Sequence, residues 1–371
     1  MCGIYNLSIV YLNSRNVAFA DRFIPYFLCS FGTHIFNLSN RKNMFYYEQG
    51  RIPDMRLHIM FVAPPGWSKS FILKHLLHND YGLLSKTRIP TVFQGSCTEA
   101  AWTGSYSEKS QKVMGLADEY KNGIVGFEEF SAITKAMKQQ HSLNFEPALL
   151  QSLDGGDVRK RIASGPPISY HTDVTLWVGS QQASFNLTSG LGRRFFFIWW
   201  VPIEKEMQEV KTARRAGRNV SPDKNKIGEI RTKADSIYEK LNGLKSIEFE
   251  HELYDLLEDR VHYEEQIYEK LAIGYHIMNA NFDSTLTVSM TPDLKKLITE
   301  SLSWRDRLIS GAESDQIVAL LQEVGGSMSI HELHKKMVRF GYAIGKTNQL
   351  IAQLIKEKRV TRTKETLYLK R

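Results

Sequence analysis

Five short apolar runs between Arg56 and Trp200 constrain this chain more than any other feature in it. They read LHIMFV, TVFQGS, GIVGFEEF, VTLWVGS and FFFIWWV, and they begin at Leu57, Thr91, Gly123, Val174 and Phe195. Their apolarity is continuous rather than alternating, and polar or amphipathic segments separate them. A strand that is apolar on both faces must be covered on both faces, which is the condition of a parallel sheet with helices above and below. An α/β domain with a largely parallel sheet is therefore expected over this region.

At 371 residues the chain exceeds one compact core, so two or three domains are expected. Hydrophobic and charged fractions of 42% and 24% are those of a globular protein. Cys2, Cys29 and Cys97 lie far apart, with no C-x-x-C pair and no neighbouring His cluster. That spacing argues against a disulfide framework or structural zinc and fits a reducing interior. A net charge of +8 inclines the chain toward a nucleic-acid partner. Val17 to Leu38 is apolar, but Asp21, Arg22 and His34 interrupt it. No run reaches the roughly 18 uncharged apolar residues of a membrane span, and the layout of a secretion signal is missing. The expectation is an amphipathic helical prelude in a cytoplasmic protein with no membrane partner.

The first apolar run continues as HIMFVAPPGWSKSFILKHLL, His58 to Leu77. Strand, Gly/Pro turn, Lys-Ser pair and apolar-periodic helix is the order that builds a phosphate cradle from backbone amides. The pattern G-x-x-x-x-G-K-[ST] is missed at both glycines, at Ala63 and Ser68, yet both substitutes are small and Gly66 remains. Pro65, Gly66, Trp67, Ser68, Lys69 and Ser70 would surround the phosphates of ATP, Lys69 neutralising charge and Ser70 ligating Mg²⁺. Downstream, a strand ends in Glu128 and Glu129, one carboxylate for the metal shell and one for an attacking water. The bland alternative is an acidic helix start favoured by the helix dipole. A later strand ends in Ser180 and Gln181, either of which could hold the water. Arg193 and Arg194 immediately precede a buried strand and belong at a rim. Gly155 to Trp177 reads as strand, tight Gly-Pro turn, strand, with Arg159 and Arg161 alternating onto one face and Lys160 on the other. These cations would grip phosphates of DNA, or else form a solvated edge strand.

In this combined order the motifs resemble the AAA+ ATPases, and within them the minichromosome-maintenance (MCM) replicative helicases. APPGWSKS is similar to that family's GDPGxAKS, FEEF at Phe127 to its IDEF, and RRFFFIW at Arg193 to its SRFDLIF. VFQGSCTEAAWTG is similar to its YTSGKGSSAAGL. The likeness spans roughly Arg51 to Val201. It implies that Arg194 is an arginine finger reaching a neighbour's nucleotide, that Gln181, or Ser180, holds the sensor position, and that the hairpin projects into a channel. The family's hairpin-tip lysine aligns near Ala163. In the EEQIYEKLAIGYHIMNAN segment the family's sensor arginine falls on Gln266, with Arg260 nearby. Only some fifty residues precede the core, which implies a minimal version of the family from a plasmid, provirus or other mobile element.

The remaining organisation follows the texture of the sequence. Residues 1–50 form the helical segment, 51–203 the AAA+ P-loop core, and 204–310 a charged linker and helical lid. Within the last of these, Glu204 to Ala234 is dense in charge and reads as an exposed excursion. Residues 311–371 read as three helices and a hairpin. Ile317, Leu320, Leu321 and Val324 stripe the first helix, Ser329 and Glu332 cap the second, and Leu350, Ile351, Leu354 and Ile355 line the third. That layout is a winged helix-turn-helix, which would offer Lys346, Asn348, Gln349, Arg362 and Lys364 to DNA, although such units also dock proteins. Three functions remain open: an ATP-dependent DNA helicase or translocase working as a homo-oligomeric ring, with a hexamer expected; an origin-binding initiator using ATP as an assembly switch; and an inactive scaffold.

Overall fold

The computed structural model of the protein describes residues 3–39, 44, 53–64, 66, 68–107, 111–137, 144–162, 165–181, 190–200, 204–217, 220–309, 313–339 and 342–370. Two helices open the chain, α1 (Ile4–Ser14) and α2 (Ala20–Leu38). Then come β1 (His58–Val62), α3 (Lys69–Leu77), β2 (Thr91–Gln94), α4 (Glu99–Thr103) and a ribbon of β3 (Ser105–Tyr106) and β4 (Lys112–Val113). Next are α5 (Leu116–Glu119), β5 (Ile124–Phe127), α6 (Phe130–Met137) and α7 (Phe145–Leu153). A hairpin of β6 (Asp157–Ile162) and β7 (Gly165–His171) precedes β8 (Thr175–Ser180), a 3-10 turn at Gly192–Arg194, and β9 (Phe195–Trp199).

All five apolar runs are strands of one sheet in the order β2-β5-β8-β1-β9, and every neighbouring pair is parallel. Every residue of β1, β5, β8 and β9 is buried, and only the edge strand β2 is half-buried at Phe93 and Gln94. Continuous apolarity thus has its expected cause. On one face, Phe61 meets Phe23 and Phe27 of α2, while Phe27 lies 5.1 Å from Trp177 and Tyr26 lies 5.4 Å from Phe196. On the other, Phe127 faces Trp102 of α4 and Phe195 faces Phe130 of α6.

The first helices depart from expectation. α2 presents no polar face to solvent; it is buried at nearly every position, between the sheet and a helix from much later in the chain. Its polar groups are spent internally. The Trp177 indole N–H donates to Ser30 Oγ at 2.7 Å. His34 Nε2 lies 3.2 Å from the Asn122 carbonyl, which can only accept, so Nδ1 is the acceptor for the Thr175 hydroxyl at 2.8 Å. Burial lowers the His34 pKa to about 4, which keeps the ring neutral.

The region expected to be a charged linker is helical. It contains α8 (Glu204–Gly217) and α9 (Lys224–Lys240), the latter capped by Asp223, whose carboxylate accepts from the Asn225 and Lys226 amides. Ile227, Ile230, Ala234 and Ile237 form its buried stripe, and α9 packs on α1. Then follow β10 (Ser246–Phe249), α10 (Glu252–Leu257), α11 (His262–Met278), β11 (Thr285–Val288) and α12 (Pro292–Ile309). β10 and β11 pair in parallel, so the segment expected to be a helical lid also contains a two-stranded ribbon. α11 and α12 do not form a separate lid core: one hydrophobic core runs from Ile4 to Trp304 and includes both.

A second core, from Ile317 to Leu367, belongs to the C-terminal unit. It comprises α13 (Glu313–Glu323), β12 (Ser327–Ser329), α14 (Ile330–Arg339), α15 (Ile344–Lys356), β13 (Val360–Arg362) and β14 (Thr366–Leu369). The expected hairpin is joined by β12 into an antiparallel sheet of order β12-β14-β13. Ser329 Oγ accepts from the Glu332 amide at 3.1 Å, the expected cap. Val324 and Ile355 lie outside the core, 42% and 40% exposed, at the ends of their stripes.

α2 and α11 cross with their backbones in contact. A Cβ at Gly274 would lie 2.0 Å from the Cys29 carbonyl oxygen, and one at Gly32 would lie 2.7 Å from the Gly274 carbonyl oxygen. Gly274→Ala should therefore destabilise the protein by about 1–3 kcal/mol through overpacking. Gly228→Ala, on α9 where an added methyl meets nothing within 4 Å, should instead stabilise by about 0.4–1 kcal/mol. Urea unfolding of the two variants measures both.

Candidate functional site

Because the five strands are parallel, their carboxyl ends emerge along one edge, where ligands bind in open α/β sheets. The chain leaves β1 at Ala63 and turns through Gly66 and Ser68, both in the left-handed region at φ 82° and 58°. Ser68 bears the cost of that conformation without being glycine, and strain of this kind concentrates at functional loops. Lys69 and Ser70 are the first two residues of α3. The Lys69 ammonium is buried and folds back to donate to the carbonyls of Ala63 (2.6 Å) and Pro64 (2.9 Å). Burial lowers its pKa to about 8, against the opposing pull of Glu129. A cation held by two neutral carbonyls gains by exchanging them for anionic oxygens, since charge-assisted hydrogen bonds are about twice as strong. Pro65 and Trp67 lie outside the described residues.

Glu128 and Glu129 leave the end of β5 in different directions. The Glu128 amide stays in the sheet ladder, donating to Gln94 O at 2.9 Å. Its half-exposed carboxylate lies 3.9 Å from Lys74 Nζ, and Lys74 is one helical turn beyond Ser70 on the same face of α3. Glu129 accepts from Gln181 Nε2 at 3.3 Å and from the Ser131 amide at 3.3 Å. Of the two strand-tip candidates, Gln181 is thus the one that meets the acid. Ser180 is buried, its hydroxyl directed to the Gln181 carbonyl at 3.2 Å. Gly179 permits the convergence: a Cβ there would lie 2.5 Å from Glu128 O and 3.6 Å from Lys69 Cβ. Among the described residues no group of three or more His, Cys, Asp or Glu is placed to hold a metal ion. A divalent ion here would accordingly depend on Ser70, Glu128 and the oxygens of a phosphate ligand, a donor set that suits Mg²⁺.

Arg194 stands at the other edge. Phe195 pairs with His58 and Trp199 with Val62, so Arg194 is about five strand residues, or ~16 Å, from the start of the phosphate loop. Its guanidinium donates to the Asp154 carboxylate and the Gly190 carbonyl. Arg193 is exposed, 6.0 Å from the Tyr263 ring. Near the start of α11, Arg260 pairs with Asp306 at 2.9 Å, and Gln266 bonds His262 at 3.0 Å.

The hairpin adopts the expected antiparallel pairing, Arg159 opposite Ser169 and Lys160 opposite Ile168. Arg159 and Arg161 are exposed, whereas Lys160 turns inward to Glu99 at 3.2 Å and Thr103 Oγ1 at 3.0 Å on α4. Lys160 is thus a tether, and the two arginines form the cationic face. Ala163 lies outside the described residues. In the C-terminal unit, Asn348 Oδ1 accepts from His334 Nε2 at 2.9 Å, Lys346 is half-buried on α15, and Arg362 and Lys364 are exposed on β13 and the following turn.

One buried charged cluster was not anticipated. Arg56 is wholly buried just ahead of β1, with Nε and Nη2 donating to Asp54 at 2.8 and 2.7 Å. Its Nη1 donates to the carbonyls of Val174 (2.7 Å), Ser152 (3.0 Å) and Thr172 (3.4 Å). The guanidinium therefore ties β1 to the end of α7 and to the segment between the hairpin and β8. Only one sequence signal could have found it, an Asp-x-Arg adjoining a fully apolar strand.

No protein-family model matches the chain, and no curated protein matches its sequence. Among the described residues, no helix is long and apolar enough to cross a membrane.

Burial works to raise the Asp54 pKa, but the Arg56 charge and hydrogen bonds, helped by Lys270 and His58, hold it well below the usual carboxylate range. A depressed folded pKa contributes stability that is complete above the unfolded value of about 3.9 and is lost as pH falls through the folded one. Asp54→Asn, which leaves Arg56 buried without its counter-charge, should cost about 3–5 kcal/mol at neutral pH. The variant should also lose stability less steeply than the wild type below about pH 4, measured by urea unfolding across the acid range.

Proposed function

We propose that this chain is an ATP-driven DNA motor of the AAA+ type, resembling the MCM helicases, in which identical subunits form a ring, six being the expected number. The observation that carries this reading is the division of charge across one parallel sheet. Lys69, Ser70, Glu128, Glu129 and Gln181 gather at the carboxyl edge, and Arg194 stands at the amino edge.

In this reading the loop amides and Lys69 cradle the β- and γ-phosphates, and Ser70 and Glu128 hold Mg²⁺, which offsets phosphate charge. Glu129, oriented by Gln181, aligns the attacking water and takes its proton. Arg194 is too far from its own loop to help there, so it would stabilise transition-state charge on the next subunit's nucleotide. Arg159 and Arg161 would track the backbone of single-stranded DNA in the channel. The C-terminal unit would act as a winged helix, meeting DNA through Lys346, Asn348, Arg362 and Lys364.

One observation favours the alternative, an origin-binding initiator with ATP as an assembly switch. The C-terminal unit has a core of its own and so has the makings of an independent sequence reader. Unwinding of a forked duplex that is lost on Lys69→Ala supports the motor. A footprint on one sequence, indifferent to turnover, supports the initiator.

Arg194→Ala and Glu129→Gln should each lower ATP hydrolysis by about 10³-fold or more. Mixing the two inactive proteins should restore measurable hydrolysis, because some interfaces then combine an intact Glu129 with an intact Arg194. Binding should also report on Lys69. Phosphate favours its charged form, raising the bound pKa above the free value of about 8. Affinity for ATP should therefore be level below pH 8 and fall above it by up to about tenfold per unit. Calorimetry near that pH should detect proton uptake, and Lys69→Arg should abolish both effects.

A further inference from the structure

The hairpin and the arginine at the amino edge share a junction. Asp154 follows α7 directly, its amide still donating to Leu150 O at 2.9 Å, and it is the residue that receives Arg194 through both Nε and Nη2. Gly155 and Gly156 come next, both left-handed at φ 94° and 82°, and β6 begins at once. Gly156 is also pressed against the far side of the hairpin: a Cβ there would lie 1.9 Å from Thr172 O. The hairpin is tied to α7 a second time, where the Arg159 amide donates to Gln151 Oε1 at 3.2 Å. Force on Arg159 and Arg161 therefore reaches the end of α7, and with it Asp154, through a short and stereochemically restricted link. Meanwhile the Arg194 guanidinium is engaged by the Asp154 carboxylate and the Gly190 carbonyl. In that state it is not available to another subunit's phosphate.

We propose that Asp154 is a positioning residue that withholds Arg194 from the neighbouring subunit until single-stranded DNA engages the β6–β7 hairpin. The proposal rests on the reading of the carboxyl-edge site as an ATPase and adds its regulation. The pair suits a latch. Its side chains are 46% and 26% exposed for Asp154 and Arg194, so it contributes little to stability and opens at low cost. A triply oxygenated terminal phosphate offers the guanidinium more charge than one carboxylate does. Displacement of α7 by the hairpin would tip the exchange toward the neighbour's nucleotide, making hydrolysis depend on DNA.

The test is ATP hydrolysis by the full-length protein with and without single-stranded oligonucleotide. Asp154→Asn keeps the shape of the side chain and removes its charge. Its DNA-free rate should rise about two- to fivefold, the factor that releasing an exposed ion pair supplies, and its stimulation by DNA should shrink correspondingly. Adding Arg194→Ala to that variant should abolish the gain. Asp154→Ser should behave as Asp154→Asn does, and thermal unfolding of both should stay close to the wild type, since a purely structural role would move stability and leave the stimulation ratio alone. A wild type that depends on Arg194 and responds to DNA, beside Asp154 variants whose DNA-free rates are unchanged or lower, overturns the latch and spares the ATPase reading. A wild type that hydrolyses no ATP, or is indifferent to Arg194→Ala, overturns the ATPase reading and the latch together.

Discussion

A parallel sheet buried on both faces needs two helical layers, and most of this chain's architecture answers that requirement. The runs between Leu57 and Trp199 supply strands, but α4 and α6 cover only one face. The other face takes α2, a helix encoded before the first strand, which brings Phe23, Tyr26 and Phe27 onto Phe61, Phe196 and Trp177. α2 in turn needs a cover of its own, and α11 provides it by an approach close enough to require glycine on both sides, at Gly32 and Gly274. Sheet, α2 and α11 therefore share one core although they come from separate parts of the sequence. Assembly of that core must therefore bring distant segments together, which slows folding relative to a fold of local contacts.

That dependence explains what could and could not be read in advance. The five strands were legible because burial on both faces leaves an unmistakable composition. α2 was legible as a helix but not as a core element: Asp21, Arg22 and His34 look like a polar face. In the fold, Arg22 pairs with Glu206 and Glu300, and His34 is absorbed by Thr175 and Asn122. Those partners are remote, and no local pattern announces them. α9 was a different kind of miss. Ile227, Ile230, Ala234 and Ile237 carry a helical spacing, but their stripe is thin among lysines and glutamates, and charge density was mistaken for exposure. β10, β11 and β12 were overlooked because strands of three or four residues leave almost no periodicity.

The candidate site was more legible than its surroundings, since its side chains must sit at the ends of strands and strand ends were visible. Lys69, Glu129 and Gln181 come together as their positions after β1, β5 and β8 imply. The choice between Ser180 and Gln181 needed the structure, because one residue of slip decides which points at the acid. Lys160 illustrates the limit from the other side. Alternation correctly set it apart from Arg159 and Arg161, yet only the fold reveals Glu99 waiting on α4. Contacts between distant segments, Arg56 with the carbonyls of Ser152, Thr172 and Val174 or Arg194 with Asp154, are beyond a single sequence for the same reason.

The parallel sheet also bears on why the proposed activity would require more than one chain. Parallel strands send every carboxyl end to one edge and every amino end to the other, so a residue that opens a strand and a residue that follows one are separated by the strand itself. Arg194 opens β9, and Lys69 follows β1, its partner in register. No rotamer of Arg194 spans that separation, and no local loop movement removes it while the β1–β9 ladder holds. If Arg194 acts on a terminal phosphate at all, the phosphate must be bound by another copy whose carboxyl edge meets this amino edge. An interface joining unlike edges is heterologous, and repeated identically it closes into a ring or winds into a filament. Under the proposed reading, ring formation is thus a consequence of strand direction, already implicit in the position of two basic residues on one sheet.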